Sequence, residues 1–159
     1  MTLLPHGRYD LVVMAHIVER PPRPYDYAMV LGLKARDWPE LIARIERGLP
    51  YSALEHLQRN AGLDPDLLLQ WIQIAPRTLA RRKAQGRLSP EESDRLLRAA
   101  RIFGCALDLF HGDRAGAVEW LSHKLAALDG ATPIEVSRTE VGAREVENLI
   151  GRVRHGVYS

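Results

Sequence analysis

One spacing recurs along this chain: a short oxygen-bearing side chain followed three residues later by glutamate. It occurs as Asp37 with Glu40, Ser52 with Glu55, Ser89 with Glu92 and Thr132 with Glu135. The leading oxygen accepts a hydrogen bond from a backbone N–H that the first helical turn leaves unpaired, and the glutamate reaches back to the cap. Pro90 and Pro133 follow two of these caps, at the first helical position, where a missing N–H is harmless. Asp64-Pro65 is a further start of the same kind. Apolar residues agree with helical periodicity: Leu41, Ile42, Ile45 and Leu49 share one face, as do Val146, Leu149, Ile150 and Val153. No alternating strand pattern follows residue 34. The spacing therefore predicts an all-α chain of six or seven helices with short connections. It divides into an N-terminal arm (residues 1–35), a central region (36–105) and a C-terminal region (106–159).

Of the 159 residues, 46% are hydrophobic and 26% charged, the balance of a globular protein with a core. Net charge is only +2, so affinity for a polyanion has to come from a local patch. Cys105 stands alone in an apolar helical stretch (Ile102, Phe103, Leu107) and reads as a small core residue. The first 33 residues differ from the rest. They hold the β-favouring run Leu11–Val18 and then Pro21-Pro22-Arg23-Pro24, which cannot propagate a helix. A short strand, an arm on a partner subunit and a floppy tail suit this segment alike. The run Leu11–Val18 follows Asp10, is broken by His16 and is too short to span a bilayer, so the expectation is a cytoplasmic protein without a membrane segment.

The most distinctive stretch is a bihelical one. Asp64–Ile72 suggests one helix, Gln73-Ile74-Ala75 a tight turn, and Pro76–Gln85 a second helix, the spacing of a helix-turn-helix. Between Arg77 and Arg87 lie five basic residues (Arg77, Arg81, Arg82, Lys83, Arg87) and no acidic one. Leu79 and Ala80 are expected toward the core, with Arg77, Thr78, Arg81 and Arg82 toward DNA. Arginine's planar fork can read guanine, and any of these cations, Lys83 and Arg87 included, can neutralise phosphate. A basic helix can equally be a solvated face. Gln73 stands where such turns often carry glycine, and Ala75 lacks a capping oxygen, so tertiary packing has to hold the second helix.

The last helix is expected from near Thr139 to Arg154. Gly151 inside it disfavours helix, which suggests a close neighbour with no room for a side chain. Arg152, Arg154 and His155 complement the helix dipole in the last turn, and Gly156 can end the helix in the left-handed conformation. Val157-Tyr158-Ser159 then supplies an apolar residue, an aromatic ring and a terminal carboxylate. Those residues could fold back onto their own domain or insert into a partner's pocket.

Catalytic patterns are missing. The six histidines are scattered, with no pair at i, i+4, and one cysteine cannot build a structural zinc site alone. There is no phosphate-cradling glycine loop and no nucleophile elbow. Glu91, Glu92 and Asp108 read as first-turn and surface charges, Phe110 and Trp120 as core. The expectation is a protein that is no enzyme and takes no cofactor or metal.

Several runs together resemble the Xre/MbcA/ParS-type antitoxins. They are Gly48-Leu49-Pro50 leading into Ser52-Ala53-Leu54, then Pro76–Arg82, then Gly86–Ser93. In the second half they are Ala117–Leu121, Thr132–Glu135, Thr139–Val146 and the ending Gly151–Ser159. The resemblance extends over about residues 31–159, in order. It implies a Cro-like helix-turn-helix bundle followed by a small helical toxin-binding domain, in a homodimer. It also implies a cognate RES-domain toxin, similar to ADP-ribosyltransferases, that depletes NAD and whose active site the antitoxin blocks. Repression of its own operon through operator DNA is a further implication. On this resemblance, Arg152, Arg154, His155, Val157, Tyr158 and Ser159 are the toxin-binding residues, with the tail inserted into a pocket that holds a pyrophosphate. Gln73, Ala75 and Gly116 depart from the family's pattern. The alternative is a stand-alone transcriptional regulator whose C-terminal half dimerises or binds a ligand.

Overall fold

A computed structural model describes residues 26–156. Among these residues the chain forms eight α-helices and two short 3-10 turns, with no strand. The helices are α1 (Trp38–Glu46), α2 (Tyr51–Ala61), α3 (Pro65–Ile72), α4 (Pro76–Gln85), α5 (Pro90–Leu109), α6 (Arg114–Ser122), α7 (Pro133–Val136) and α8 (Glu140–Arg154).

Most starts obey the capping chemistry. Ser89 and Glu92 close a full capping box on α5, and Thr132 and Glu135 do so on α7. Asp64 accepts from the N–H groups of Asp66 and Leu67 at α3. Two starts differ. Asp37 caps α1, but Glu40 turns away from the cap to accept from the Arg36 N–H at 3.1 Å and to pair with Arg44 at 2.7 Å. Ser52 caps nothing, because α2 already begins at Tyr51 with Pro50 in the cap position. Asp113 and Thr139, whose side chains cap α6 and α8, have no glutamate three residues on.

The twenty-residue helix α5 is the axis of the molecule. Its first half buries Glu92, Ser93 and Leu96, and its second half buries Ile102, Phe103, Ala106 and Leu107 against α6 and α8. One contiguous apolar core runs from Ala28 to Ile150. A boundary after residue 105 therefore falls inside a helix that both halves share. The N-terminal side also differs from expectation: residues 27–33, assigned to an arm, are core. Tyr27, Ala28, Val30 and Leu31 are buried on a 3-10 turn (Asp26–Leu31) with Leu33 buried just after it, and the Asn60 side chain donates to Val30 O at 2.8 Å. Gly104 makes room for this turn, since a Cβ there would run into the Tyr27 ring. The Tyr27 hydroxyl lies 3.2 Å from Cys105 Sγ, and burial pushes the Cys105 thiol up to about 11, as befits an inert packed sulfur. The rest of the expected arm, including Leu11–Val18, lies outside the described residues.

On α1 the expected apolar face splits. Leu41 is buried and Ile45 half-buried, but Ile42 is 45% exposed and Trp38, one turn earlier, 64% exposed. On α8, Val146, Leu149 and Ile150 are buried as expected, with Val153 half-buried.

Candidate functional site

Helices α3 and α4 form the bihelical unit. Gln73 ends α3 in the left-handed conformation (φ 54°), a backbone region that suits glycine, and donates its N–H to Leu69 O. Ala75 caps α4 with no side-chain hydrogen bond. What replaces these local signals is Arg95 on α5. Its Nε donates to Ile72 O at 2.7 Å, and Nη2 reaches Gln73 O at 3.5 Å, so a guanidinium satisfies the open carbonyls at the end of α3.

The other end of α4 is tied to the start of α2. Tyr51 N donates to Gly86 O and Leu88 N donates to Leu49 O, both at 2.9 Å. The Gly48–Pro50 and Gly86–Leu88 runs thus cross as an antiparallel bridge. Gly48 (φ 82°) is required there, because any Cβ would strike the Leu88 carbonyl.

The cations along α4 do not act alike. Arg82 points back: its Nε and Nη2 grip the Glu92 carboxylate at 2.7 and 3.1 Å, and its Nη1 donates to Gln85. Burial pushes the Glu92 carboxyl up, but Arg82 and the Ser89 N–H pull it further down, leaving it below its ordinary value. Arg87 is also engaged, donating to the Gly48 carbonyl, with the Arg47 carbonyl nearby. Arg82 and Arg87 are therefore anchors of the fold in this structure, in place of the free cations expected there. Arg77, Arg81 and Lys83 are exposed and Thr78 is half-buried. Leu79 packs on the core, whereas Ala80 is exposed rather than buried.

In the C-terminal half, Glu140 gathers three arginines: Arg101 at 3.0 Å, Arg98 at 3.2 Å and Arg144 at 3.5 Å. Burial alone would raise the Glu140 carboxyl, and Arg101 and Arg98 outweigh it. Arg101 Nε also lies 2.9 Å from Glu147. Arg95, Arg98 and Arg101 recur every three residues on α5, a periodic stripe already present in the sequence. Arg152 and His155 are exposed, while Arg154 pairs with Asp108 on α5. A Cβ on Gly151 would meet nothing within 4 Å, so no neighbour among the described residues explains that glycine, contrary to expectation. The crowded glycine is Gly142, where a Cβ would strike the Val136 carbonyl. Val157, Tyr158 and Ser159 lie outside the described residues.

With this geometry in place, residues 40–101 match the family described as "Antitoxin Xre-like helix-turn-helix domain". Residues 105–156 match "Antitoxin Xre/MbcA/ParS C-terminal toxin-binding domain". A protein named "Antitoxin Xre" from Yersinia enterocolitica is 36% identical over 130 residues, covering 81% of this chain and 88% of that protein. Its namesake from Photorhabdus laumondii is 33% identical over the same shares. A third, from Pseudomonas putida, is 33% identical over 119 residues, covering 74% of this chain and 72% of that protein. The chain belongs to the Xre antitoxin family. Its helix-turn-helix domain includes α1–α4 and the first half of α5, and the toxin-binding domain starts within α5 and ends just beyond α8. Gly151, Arg152, Arg154 and His155 all fall in the Xre toxin-binding domain. No described helix is long and apolar enough to cross a membrane.

Proposed function

We propose that this antitoxin binds and blocks the active site of a cognate RES-domain toxin that degrades NAD in the cytoplasm, without catalysis of its own. The observation that carries the reading is the toxin-binding domain match ending at residue 156, where α8 presents exposed Arg152 and His155 immediately before Val157-Tyr158-Ser159. An apolar residue and an aromatic ring following a basic helix end suit a pocket shaped for a nucleotide's ring. Arg154, held by Asp108, positions the helix end rather than entering the toxin. Co-expression with the product of the neighbouring reading frame, which this reading expects to be a RES-domain toxin, tests it. The full chain preserves cellular NAD and growth, and deletion of Val157–Ser159 restores toxicity. Full protection by the truncated chain at equal abundance would sink the role of the tail.

The same chain represses its operon by laying α4 in the major groove of operator DNA. The exposed cations Arg77, Arg81 and Lys83, with Thr78 beside them, support this reading. It acts as a homodimer, and the exposed Trp38 and Ile42 on α1 supply the apolar contact.

A further inference from the structure

We infer that the cleft between the end of α3, the first half of α5 and Arg138 is a phosphate-binding site, with Arg95 and Arg138 as its ligands. Arg95, Arg98 and Arg138 line this open cleft together with Gln73, Glu91 and Asp94. Its volume of about 530 Å³ admits a phosphate or a phosphate ester. The toxin and the C-terminal tail play no part in it.

The three arginines differ in what they have left to bind. Arg98 is committed: Nε donates to Glu140, Nη1 to the Arg138 carbonyl and Nη2 to Asp94. Arg95 donates to two carbonyl oxygens, those of Ile72 and Gln73, and meets no carboxylate in contact among the described residues. Arg138 has the least. Its Nε is buried without a hydrogen-bond partner among the described residues, and its side chain forms none of the ion pairs that hold Arg98. A buried guanidinium N–H with no acceptor is costly, and an anion on the guanidinium removes that cost.

The two carboxylates on the rim are occupied elsewhere. Asp94 pairs with Arg98 at 3.1 Å. Glu91 is held below its ordinary value by its own backbone N–H and the Ser89 hydroxyl at the start of α5, with a smaller pull from Arg95. The chemistry selects phosphate over carboxylate. One guanidinium fork uses both oxygens of a carboxylate, whereas a phosphate keeps oxygens for a second arginine.

A phosphate reaches this cleft from either of two sources. One is the DNA backbone, since Gln73 is the turn residue just ahead of α4. The other is a free phosphate or phosphate ester. Arg95 lies in the segment matched to the helix-turn-helix domain and Arg138 in the one matched to the toxin-binding domain, so either occupant bridges the two.

Two titrations of the purified full chain test the site. Inorganic phosphate is followed by calorimetry at constant ionic strength, and duplex DNA from the chain's own promoter by fluorescence anisotropy across a salt series. Arg138→Gln removes the fork while leaving the unfolding midpoint near wild type, and Arg138→Lys keeps the charge without the fork. With a free phosphate as occupant, wild type binds inorganic phosphate and affinity falls about tenfold in Arg138→Gln and less in Arg138→Lys. With the DNA backbone as occupant, Arg138→Gln instead weakens promoter binding about tenfold and lowers the salt slope by about one. Wild-type affinity of Arg138→Gln for every probe that the wild-type chain binds overturns the inference and leaves the operator reading intact. A wild-type chain that binds neither probe overturns both.

Discussion

The indole Nε1 of Trp71, at the end of α3, donates to Ser137 Oγ at 2.9 Å, and both side chains are buried. This bond joins the last turn of the bracing helix to the cap residue that ends α7, across the two matched domains. Ser137 Oγ in turn donates to Ile134 O. Ser137→Ala leaves the indole N–H without a partner in the core, a loss of about 1–3 kcal/mol. Urea unfolding should show a lower midpoint in a single cooperative transition, because the packing around Trp71 belongs to both halves.

The arginines of α4 should separate by role. Arg77→Ala and Arg81→Ala should leave thermal stability near wild type and weaken operator binding. Each lost phosphate contact lowers the slope of log affinity against log salt by about one. Arg82→Ala should instead lower the unfolding midpoint, because it strands the buried Glu92 carboxylate and loosens the cap of α5. Fluorescence anisotropy with a salt series, alongside calorimetry, distinguishes the two patterns. An Arg82→Ala protein of wild-type stability would contradict the anchoring role.

Stability should fall in acid. In the folded chain the carboxyls of Glu92 and Glu140 sit below the ordinary glutamate value of 4.5, held by arginines despite burial. Glu135 is lowered as well, by the Thr132 N–H and hydroxyl of its capping box. Because these folded values are depressed, the unfolded chain binds more protons in this range, and stability is lost as pH falls from about 5 toward 2. Glu40 is drawn to about 2, first by the Arg44 guanidinium and then by the Arg36 N–H, but it lies at the surface, where salt screens it. Thermal unfolding between about pH 3 and 7 should show a plateau above the glutamate range and a decline below it. Glu92→Gln should reduce that decline.

On the proposed dimerisation through α1, Trp38→Ala should yield a monomer with little change in folding, since the ring is 64% exposed. Sedimentation velocity at micromolar concentration reads this directly. A monomeric wild-type chain would remove the case for dimerisation through α1.

How much of this was legible in advance follows the range of each interaction. Ser89 with Glu92 and Thr132 with Glu135 announce their helices because both partners sit within one turn. Ser52 with Glu55 has the same spacing yet caps nothing, since Pro50 can begin the helix one residue sooner and spacing alone does not reveal that. Arg82 is easily taken for a free cation because its partner, Glu92, lies ten residues on and in the next helix. The replacement of local caps by Arg95 and the seam between Trp71 and Ser137 are products of tertiary packing, to which periodicity is blind. Residues 27–33 carry no helix signal, and the burial of Tyr27 among them depends on the bare backbone of Gly104, far along the chain. Gly151 fits a helix poorly, but the close neighbour that its poor fit implies is absent among the described residues.

Helix α5 has a consequence for how such proteins can change partners. The two family matches divide between residues 101 and 105, yet that division cuts a continuous helix whose two ends are core to different neighbours. Swapping one half for that of a related operon would place an unfamiliar end of α5 against Tyr27, and an unfamiliar α8 against Arg98 and Arg101, whose partner there is Glu140. New pairings of operator and toxin specificity should therefore arise by surface substitution on α4 and α8, with the chain inherited whole, rather than by recombination at the apparent junction.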